Sequence, residues 1–178
     1  TFKALFLYCI FILQCDIKMS LDYFINLIIF QEKTCEDSLH SHKQEKGTIK
    51  KCIETAELIE NHGIKEDAHA GDWHRQLSFL ASESIENASS EDFKLNFGDF
   101  AENIATIGID WKKQPIGQVF KLGEKALVEI TQIGKECHKK CAIFYRTGDC
   151  IMPKEGVFAK ILKGGTIKVG DKIERVKN

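Results

Sequence analysis

The sequence is poor in proline and has no excess of charge of either sign. Only two of its 178 residues are proline, Pro115 and Pro153, and its formal net charge is −1. A nearly neutral chain gives no electrostatic footprint for nucleic acid, so a nucleic-acid partner is not expected. With 43% hydrophobic residues, the chain can bury a real core and has sequence to spare beyond one ordinary domain.

The sequence also lacks an apolar run long enough to cross a bilayer. The runs at residues 4–13 (ALFLYCIFIL) and 23–30 (YFINLIIF) fall short of the roughly 18–20 residues that a spanning helix needs. The first run lacks the small residues of a signal-peptide cleavage site. We therefore expect a cytoplasmic protein, and a membrane role is not expected.

Residues 1–38 differ from the rest of the chain, and we treat them as an atypical apolar segment ahead of a domain at residues 39–178. Three interpretations of this segment stay open. In order of preference, it is sequence foreign to the domain, an extra packing element or edge strand supplied by residues 23–30, or a targeting or membrane-surface segment.

Seven cysteines are spread along the chain: Cys9, Cys15, Cys35, Cys52, Cys137, Cys141 and Cys150. An odd number cannot all pair within one chain, and the chain is too long for a small disulfide scaffold. The cysteines therefore indicate free thiols in a reducing compartment, where reactive or metal-binding roles deserve consideration.

Glycines, not prolines, divide the C-terminal half into short segments, which predicts strands joined by turns. Five segments have the composition of strands: 117–122, 126–133, 157–162, 166–169 and 172–176. The first two predict a β-hairpin. The next two predict a second hairpin, in which Gly164 and Gly165 form the turn at positive φ.

Helix signals are sparse. Residues 82–88 (SESIENA) predict a short helix with Ser82 as its N-cap. Residues 137–144 predict a further helical turn. Residues 54–61 (ETAELIEN), stopped by Gly63, have the local pattern of a helix.

A first group of chemically capable residues lies within nine positions: Asp67, His69, Asp72, His74 and Arg75. It combines carboxylates, imidazoles and a guanidinium, which is the side-chain group best suited to binding phosphate or carboxylate. The group is either a ligand-binding loop or a polar surface loop anchored by a tryptophan. Composition alone favours the surface loop.

A second group, Glu102 and Asn103, follows Gly98. Its side chains are suited to bonding the backbone of a tight loop or to bonding a ligand. The loop interpretation is preferred on these residues alone.

The third group contains Cys137 and Cys141, which would share one face of a helical turn. Lysines on both sides, among them Lys140, favour the thiolate, which is the nucleophilic form. Two alternatives remain: inert core thiols, or zinc bound with His69 or His138. A four-ligand structural zinc site is not supported, because no second cysteine pair matches the first. Cys150 has apolar neighbours and is interpreted as structural.

Taken in order, six pieces of the sequence resemble the MOSC family, named for the C-terminal domain of molybdenum cofactor sulfurase. The pieces are AELIENHGIKEDAHAGDWHRQ, GDFAENI, GIDWKKQPIGQVFKLGE, EITQIGKECHKKC, GDCIMPKEGVFAKIL and KGGTIKVGDKIE. The resemblance runs from about Gly47 to Val176 and is closest to short, stand-alone bacterial members of clostridial type. No single piece is specific, but the ordered set is.

The resemblance implies a mainly β fold, a MOSC-type closed β-barrel with a few short helices. It therefore implies that residues 54–61 run extended instead of forming a helix. Two residues depart from the family pattern, since Glu66 and Ala101 stand where glycine is common. If the backbone at Glu66 needs positive φ, this residue costs about 1 kcal/mol or more.

The resemblance also implies a function in molybdenum cofactor metabolism. The preferred hypothesis is a sulfur carrier of sulfurtransferase type that holds sulfur as a cysteine persulfide; whether it turns over as an enzyme stays open. Its expected partners are a pyridoxal-phosphate cysteine desulfurase and molybdoenzymes or cofactor-biosynthesis proteins. The alternatives are a non-catalytic module that binds the molybdenum cofactor (molybdopterin), and a structural zinc or thiol domain.

The expected site follows from the same resemblance. Cys141 and Cys137 are the expected catalytic residues, and Cys141 is also the expected metal ligand, since thiolates are soft donors. The expected cofactor-binding residues are Asp67, His69, His74, Arg75, Glu102, Asn103 and Lys140.

Overall fold

The structure, a computed structural model, describes residues 27–32, 51–67, 69–91, 93–137, 140, 144–145 and 148–177. Its strands are β1 Leu27–Glu32, β2 Lys51–Ile53, β3 Thr55–Ile59, β4 Gly63–Ile64, β5 Leu77–Ala81, β6 Ile104–Ile107, β7 Val119–Leu122, β8 Ala126–Ile133, β9 Val157–Lys163, β10 Gly165–Lys168 and β11 Ile173–Arg175. Its helices include α1 Ser82–Ala88, α2 Met152–Glu155 and a 3-10 turn at Trp111–Lys113.

The strands form two sheets that share long, bent segments. The larger sheet has the order β11-β7-β8-β9-β5-β6-β1-β2, and the smaller has the order β10-β3-β4. A single residue separates β2 from β3, and a single residue separates β9 from β10, so the chain passes between the sheets at these two points. Within the larger sheet, the β5–β6 pair is parallel.

The mainly β fold predicted from the sequence is confirmed. Among the described residues, no hydrogen-bonded pairing joins the end strands β11 and β2 of the larger sheet. The architecture is therefore a curled half-barrel, whereas the resemblance implies a barrel closed by strand pairing.

Strand β5 is buried along four of its five residues because it is covered on both faces. Leu77 and Phe79 point into the main core between the sheets, and Leu80 packs into a second cluster with Ile85 of α1 and Met152 of α2. A nearly continuous apolar run is expected for such a strand. Burial on both faces fixes the position of β5, and residues of the predicted site lie in the loop that precedes this strand.

Several predicted elements are confirmed. The β7–β8 hairpin is present, and α1 has the predicted bounds. Residues 55–59 run extended in β3, as the resemblance implies. The predicted N-cap is wrong, because Ala81 occupies that position and no side chain caps the helix. The hydroxyl of Ser82 contacts Glu83 instead, with Oγ 3.2 Å from Oε2.

The second predicted hairpin is wrong. Strand β9 pairs with β8 and β5, whereas β10 pairs with β3 of the smaller sheet. Neither Gly164 nor Gly165 has positive φ. A Cβ on Gly164 would lie 2.6 Å from the carbonyl oxygen of Leu58, so glycine is needed there for close backbone approach.

Strand β1 lies within the stretch that the sequence separates from the domain. It pairs with β6 on one side and β2 on the other, so it is an inner strand rather than an edge strand. The helical turn predicted at residues 137–144 lies largely outside the described residues, although Phe144 is helical. None of the described helices is long and apolar enough to cross a membrane.

Candidate functional site

The loop between β4 and β5 is organised by the carboxylate of Asp67. Its Oδ1 accepts a hydrogen bond from the backbone N–H of His69 at 2.7 Å, and its Oδ2 accepts one from Nδ2 of Asn103 at 3.0 Å. The Asp67 side chain is only 6% exposed, and Nδ1 of His69 lies 3.4 Å from its Oδ1. The carboxylate therefore joins two chain segments that are far apart in sequence.

Asn103 extends this connection to strand β5. Its Oδ1 accepts hydrogen bonds from the backbone N–H of Ser78 at 3.0 Å and from the Ser78 hydroxyl at 2.8 Å. Asn103 and Ser78 are buried. We call Asp67, His69, Ser78 and Asn103 the Asp67 network. Next to it, the fully buried Glu102 accepts a hydrogen bond from the N–H of Gly98 through Oε1.

Two residues beside the Asp67 network have strained backbones. Glu66 has φ of 67° and Ala101 has φ of 59°. Both residues stand where glycine is common in the MOSC pattern that the sequence resembles, and the condition considered above for Glu66, a positive φ, is met. The left-handed region costs a residue with a Cβ about 1 kcal/mol or more, and here it is adopted on both loops of the predicted site.

The guanidinium of Arg75 contacts two aromatic rings. Its Cζ lies 4.8 Å from the ring centroid of Trp73 and 5.6 Å from that of Phe158. Trp73 is itself fixed, because its Nε1 donates to the carbonyl oxygen of His69 at 2.9 Å. Nε of Arg75 is buried and has no hydrogen-bond partner among the described residues.

His74 connects this loop to strand β8. Its Nε2 lies 3.0 Å from Oε1 of Gln132, and its carbonyl oxygen accepts a hydrogen bond from the hydroxyl of Thr131. Sequence reasoning missed both of these partners and also Ser78. Thr131 and Gln132 lie in β8, where burial alternates, so in the sequence they resemble ordinary solvent-facing positions.

Gln76 is another site residue that sequence reasoning missed. It is 2% exposed, donates from Nε2 to the carbonyl of Gly71 at 3.2 Å, and accepts from the N–H of Ile161 at 2.9 Å. It therefore ties the loop to β9. The one feature of the sequence that could have identified Gln76 is its position next to Arg75.

The thiol-bearing segment begins where β8 ends. The N–H of Gly134 donates to Gly156 at 2.7 Å, and that of Lys135 donates to Pro153 at 3.3 Å. Cys137 follows as an exposed free thiol. We call residues 135–150 the thiol segment. Because Gly134 lies two residues beyond Gln132, this segment starts close to His74.

The other predicted residues of this segment are placed only in part. Lys140 is exposed, with Nζ 4.2 Å from the ring centroid of Phe144. Cys141, the first expected catalytic residue and metal ligand, lies outside the described residues, as does His138. Cys150 is half-buried and packs against the second core cluster, in keeping with a structural thiol. Among the described residues, no group of three His, Cys, Asp or Glu side chains is arranged to hold a metal.

The structure thus brings together Asp67, His69, Asn103 and the Arg75 loop, and it places the start of the thiol segment beside them. Two cavities lie elsewhere. One of about 780 Å³ lies beside α1, and one of about 430 Å³ lies between Gln118 and Lys177; no predicted site residue lines either.

The family model described as the MOSC domain matches residues 66–174, more than half of the chain. The chain belongs to the MOSC domain family. The resemblance seen in the sequence is therefore confirmed. Membership implies a role connected with the molybdenum cofactor, either in handling sulfur or in binding. No curated protein matches the chain.

Solved structures resemble this MOSC domain in fold. YiiM from Escherichia coli is 17% identical over 86% of this chain and 71% of its own, with a TM-score of 0.59. YiiM from Geobacillus stearothermophilus is 18% identical over 86% and 74%, with a TM-score of 0.58. The YUAD protein from Bacillus subtilis is 13% identical over 86% and 98%, with a TM-score of 0.64. At these identities the likeness shows the fold alone.

Proposed function

We propose that this MOSC domain is a sulfur carrier that holds sulfur as a cysteine persulfide on Cys141 or Cys137. The observation that carries the proposal is the position of the thiol segment. It leaves β8 beside a loop that the Asp67 network holds through buried hydrogen bonds, and it presents an exposed thiol at Cys137. A reactive group on a segment anchored to a rigid sheet is a common arrangement in functional sites.

The sulfur-transfer step needs only a thiolate and a persulfide donor. The carrier thiolate attacks the terminal sulfur of the donor's persulfide, a new S–S bond forms, and the donor cysteine leaves as a thiolate. No external oxidant is consumed. A pyridoxal-phosphate cysteine desulfurase supplies such a donor, and molybdoenzymes or cofactor-biosynthesis proteins would accept the sulfur. A cytoplasmic setting would keep the thiols reduced.

A second candidate function, binding of the molybdenum cofactor, is favoured by Arg75. Its guanidinium is positioned by two rings, and its buried Nε has no partner among the described residues, so it suits an anionic group such as a phosphate. His74 precedes Arg75 in the chain, and the carbonyl oxygen of His69 accepts a hydrogen bond from Trp73, whose ring contacts Arg75. Asp67 and Asn103 bond each other, so we assign them to holding the loop. When bound, the cofactor would supply a redox-active metal, which a cysteine thiolate suits as a soft ligand.

The sulfur-carrier proposal is tested by loading the protein from a cysteine desulfurase with free cysteine and measuring the intact mass. We expect one added sulfur atom that dithiothreitol removes. Cys141→Ser abolishes the addition if Cys141 is the carrier, and Cys137→Ser does so if Cys137 is. Cys150→Ser is the matched control and should load normally. Folded protein that gains no sulfur would rule out the carrier function.

The cofactor-binding candidate is tested by supplying molybdenum cofactor and measuring retained molybdenum and pterin after gel filtration. Arg75→Lys keeps the charge but loses the planar fork, so we expect retention to fall about ten-fold or more. The same variant should accept sulfur normally, which separates the two functions. Unchanged retention in Arg75→Lys would exclude Arg75 as the anion-binding group.

A further inference from the structure

The cavity of about 780 Å³ beside α1 lies on a face that the proposed function does not use. Apolar side chains line it, namely Ile85, Leu95, Phe97 and Ile107. Ile107 is 37% exposed at the end of β6, and the nearby Phe93 is 40% exposed. An open apolar groove of this size is suited to several side chains of a bound segment.

The rim of this groove is acidic. Glu86, Glu91 and Lys94 line it and all three are exposed, so the charged lining carries one net negative charge. Over residues 82–97 the sequence has four acidic residues, Glu83, Glu86, Glu91 and Asp92, against the single base Lys94. Complementary charge therefore favours a basic ligand over an anionic lipid surface.

The groove is joined to the predicted site through one short stretch of chain. The Ser89 hydroxyl donates to the carbonyl of Ile85 at 3.0 Å and accepts from the N–H of Leu95 at 3.1 Å. Phe97 then leads directly into Gly98, whose N–H is bonded by Glu102. A ligand that packs on Leu95 and Phe97 would therefore contact the segment that carries Glu102 and Asn103.

We propose that the groove beside α1 is a docking site for a basic amphipathic segment of a partner protein. The apolar side chains of that segment would occupy the floor at Ile107, and its lysines or arginines would meet Glu86 and Glu91. The proposal does not depend on which chemistry occurs at the thiol segment.

The test uses two labelled peptides of about 14 residues, one of leucine and lysine and one of leucine and glutamate, both with leucines at helical spacing. Binding to the full chain is measured by fluorescence anisotropy. We expect the lysine peptide to bind at least about ten-fold more tightly. Ile107→Asp should weaken it about ten-fold, whereas Ile116→Asp, at a 66% exposed isoleucine outside the groove, should leave binding unchanged.

Charge reversal gives a second readout that does not depend on the apolar floor. Exchanging both Glu86 and Glu91 for lysine should reverse the preference between the two peptides, and both residues are exposed, so folding should be retained. Equal binding of the two peptides, or equal loss in the Ile116→Asp control, overturns the proposal. A concentration-dependent dimer that Ile107→Asp abolishes would also overturn it, by showing a second copy in the groove.

Discussion

The Asp67 network and the thiol segment lie close together but are held in different ways. The network consists of polar side chains that are largely buried and bonded to one another, from Asp67 through Asn103 to Ser78. The thiol segment is anchored by backbone hydrogen bonds at Gly134 and Lys135, and then presents Cys137 to solvent. Shape and chemistry are therefore separable here, because the network fixes the loop whereas the segment carries the thiols that we propose as nucleophiles.

Removing Asn103 should cause the largest loss of stability. Asn103→Ala leaves the Asp67 carboxylate without its Nδ2 donor and removes the acceptor of two hydrogen bonds from Ser78. Because these groups are largely buried, we expect the free energy of unfolding to fall by about 4 kcal/mol in urea titration.

Asn96→Ala is the matched control for this prediction. Asn96 is exposed, and its described hydrogen bonds are made by its backbone. We expect it to change stability by less than about 0.5 kcal/mol. If the two variants are equally stable, the network does not hold the loop.

Gly134→Ala tests the anchor of the thiol segment and should have the next largest effect. Gly134 has φ of 70°, and a Cβ there would lie 2.4 Å from the carbonyl oxygen of Pro153. Gly148 has a similar φ of 75° but open space around its Cβ position. We expect calorimetry or urea unfolding to give a loss of about 3 kcal/mol for Gly134→Ala and about 1 kcal/mol for Gly148→Ala.

The difference between the two glycine variants isolates the contact with Pro153 from the conformational cost of positive φ. Equal losses would mean that the segment moves away from α2 without penalty, and the described anchor would then not be a structural restraint.

Replacing Glu66 by glycine should have a smaller effect of the opposite sign. Because φ is 67° at Glu66, Glu66→Gly should stabilise the protein by about 1 kcal/mol. Glu60→Gly, at an exposed position without positive φ, should destabilise it slightly. Thermal unfolding of both variants checks the prediction, and a loss of stability in Glu66→Gly would contradict the strain at this loop.

The smallest expected effect comes from the exposed pair Asp110 and Lys113, whose side chains lie 2.8 Å apart. The hydrogen bond from Lys113 lowers the pKa of Asp110. Because the pKa of Asp110 is lowered in the folded protein, the ion pair stabilises the fold at pH values above the usual carboxyl pKa. That contribution disappears as the pH falls through the lowered pKa. Asp110→Asn should therefore reduce stability barely measurably at neutral pH and not at all in strong acid. Glu124→Gln, on the β7–β8 turn, serves as control.

Local patterns predicted the elements whose residues interact with near neighbours. The helix Ser82–Ala88 and the β7–β8 hairpin need only short-range contacts, and the sequence predicted both. Strand β10 was predicted as a strand, but its partner β3 lies more than a hundred residues away in sequence, so local turn chemistry predicted the wrong pairing. Close backbone approach at Gly164 is likewise a tertiary property.

The candidate site could be predicted only in part, because local sequence patterns identify residue types but not contacts between distant strands. Asp67, Arg75 and Asn103 are conspicuous residue types in short motifs, and the structure brings their loops together. Ser78, Gln76 and Thr131 were missed, because their importance comes from partners on other strands. Cofactor binding by the predicted residues remains a prediction.

The central claim is that Cys141 or Cys137 of the thiol segment carries sulfur, and tryptic peptide mapping after desulfurase loading tests it most directly. Trypsin separates the three cysteines into the peptides ECHK, CAIFYR and TGDCIMPK. We expect an alkylation-trapped persulfide on CAIFYR or ECHK and none on TGDCIMPK. Sulfur found on TGDCIMPK alone, or on none of the three in folded protein, would contradict it.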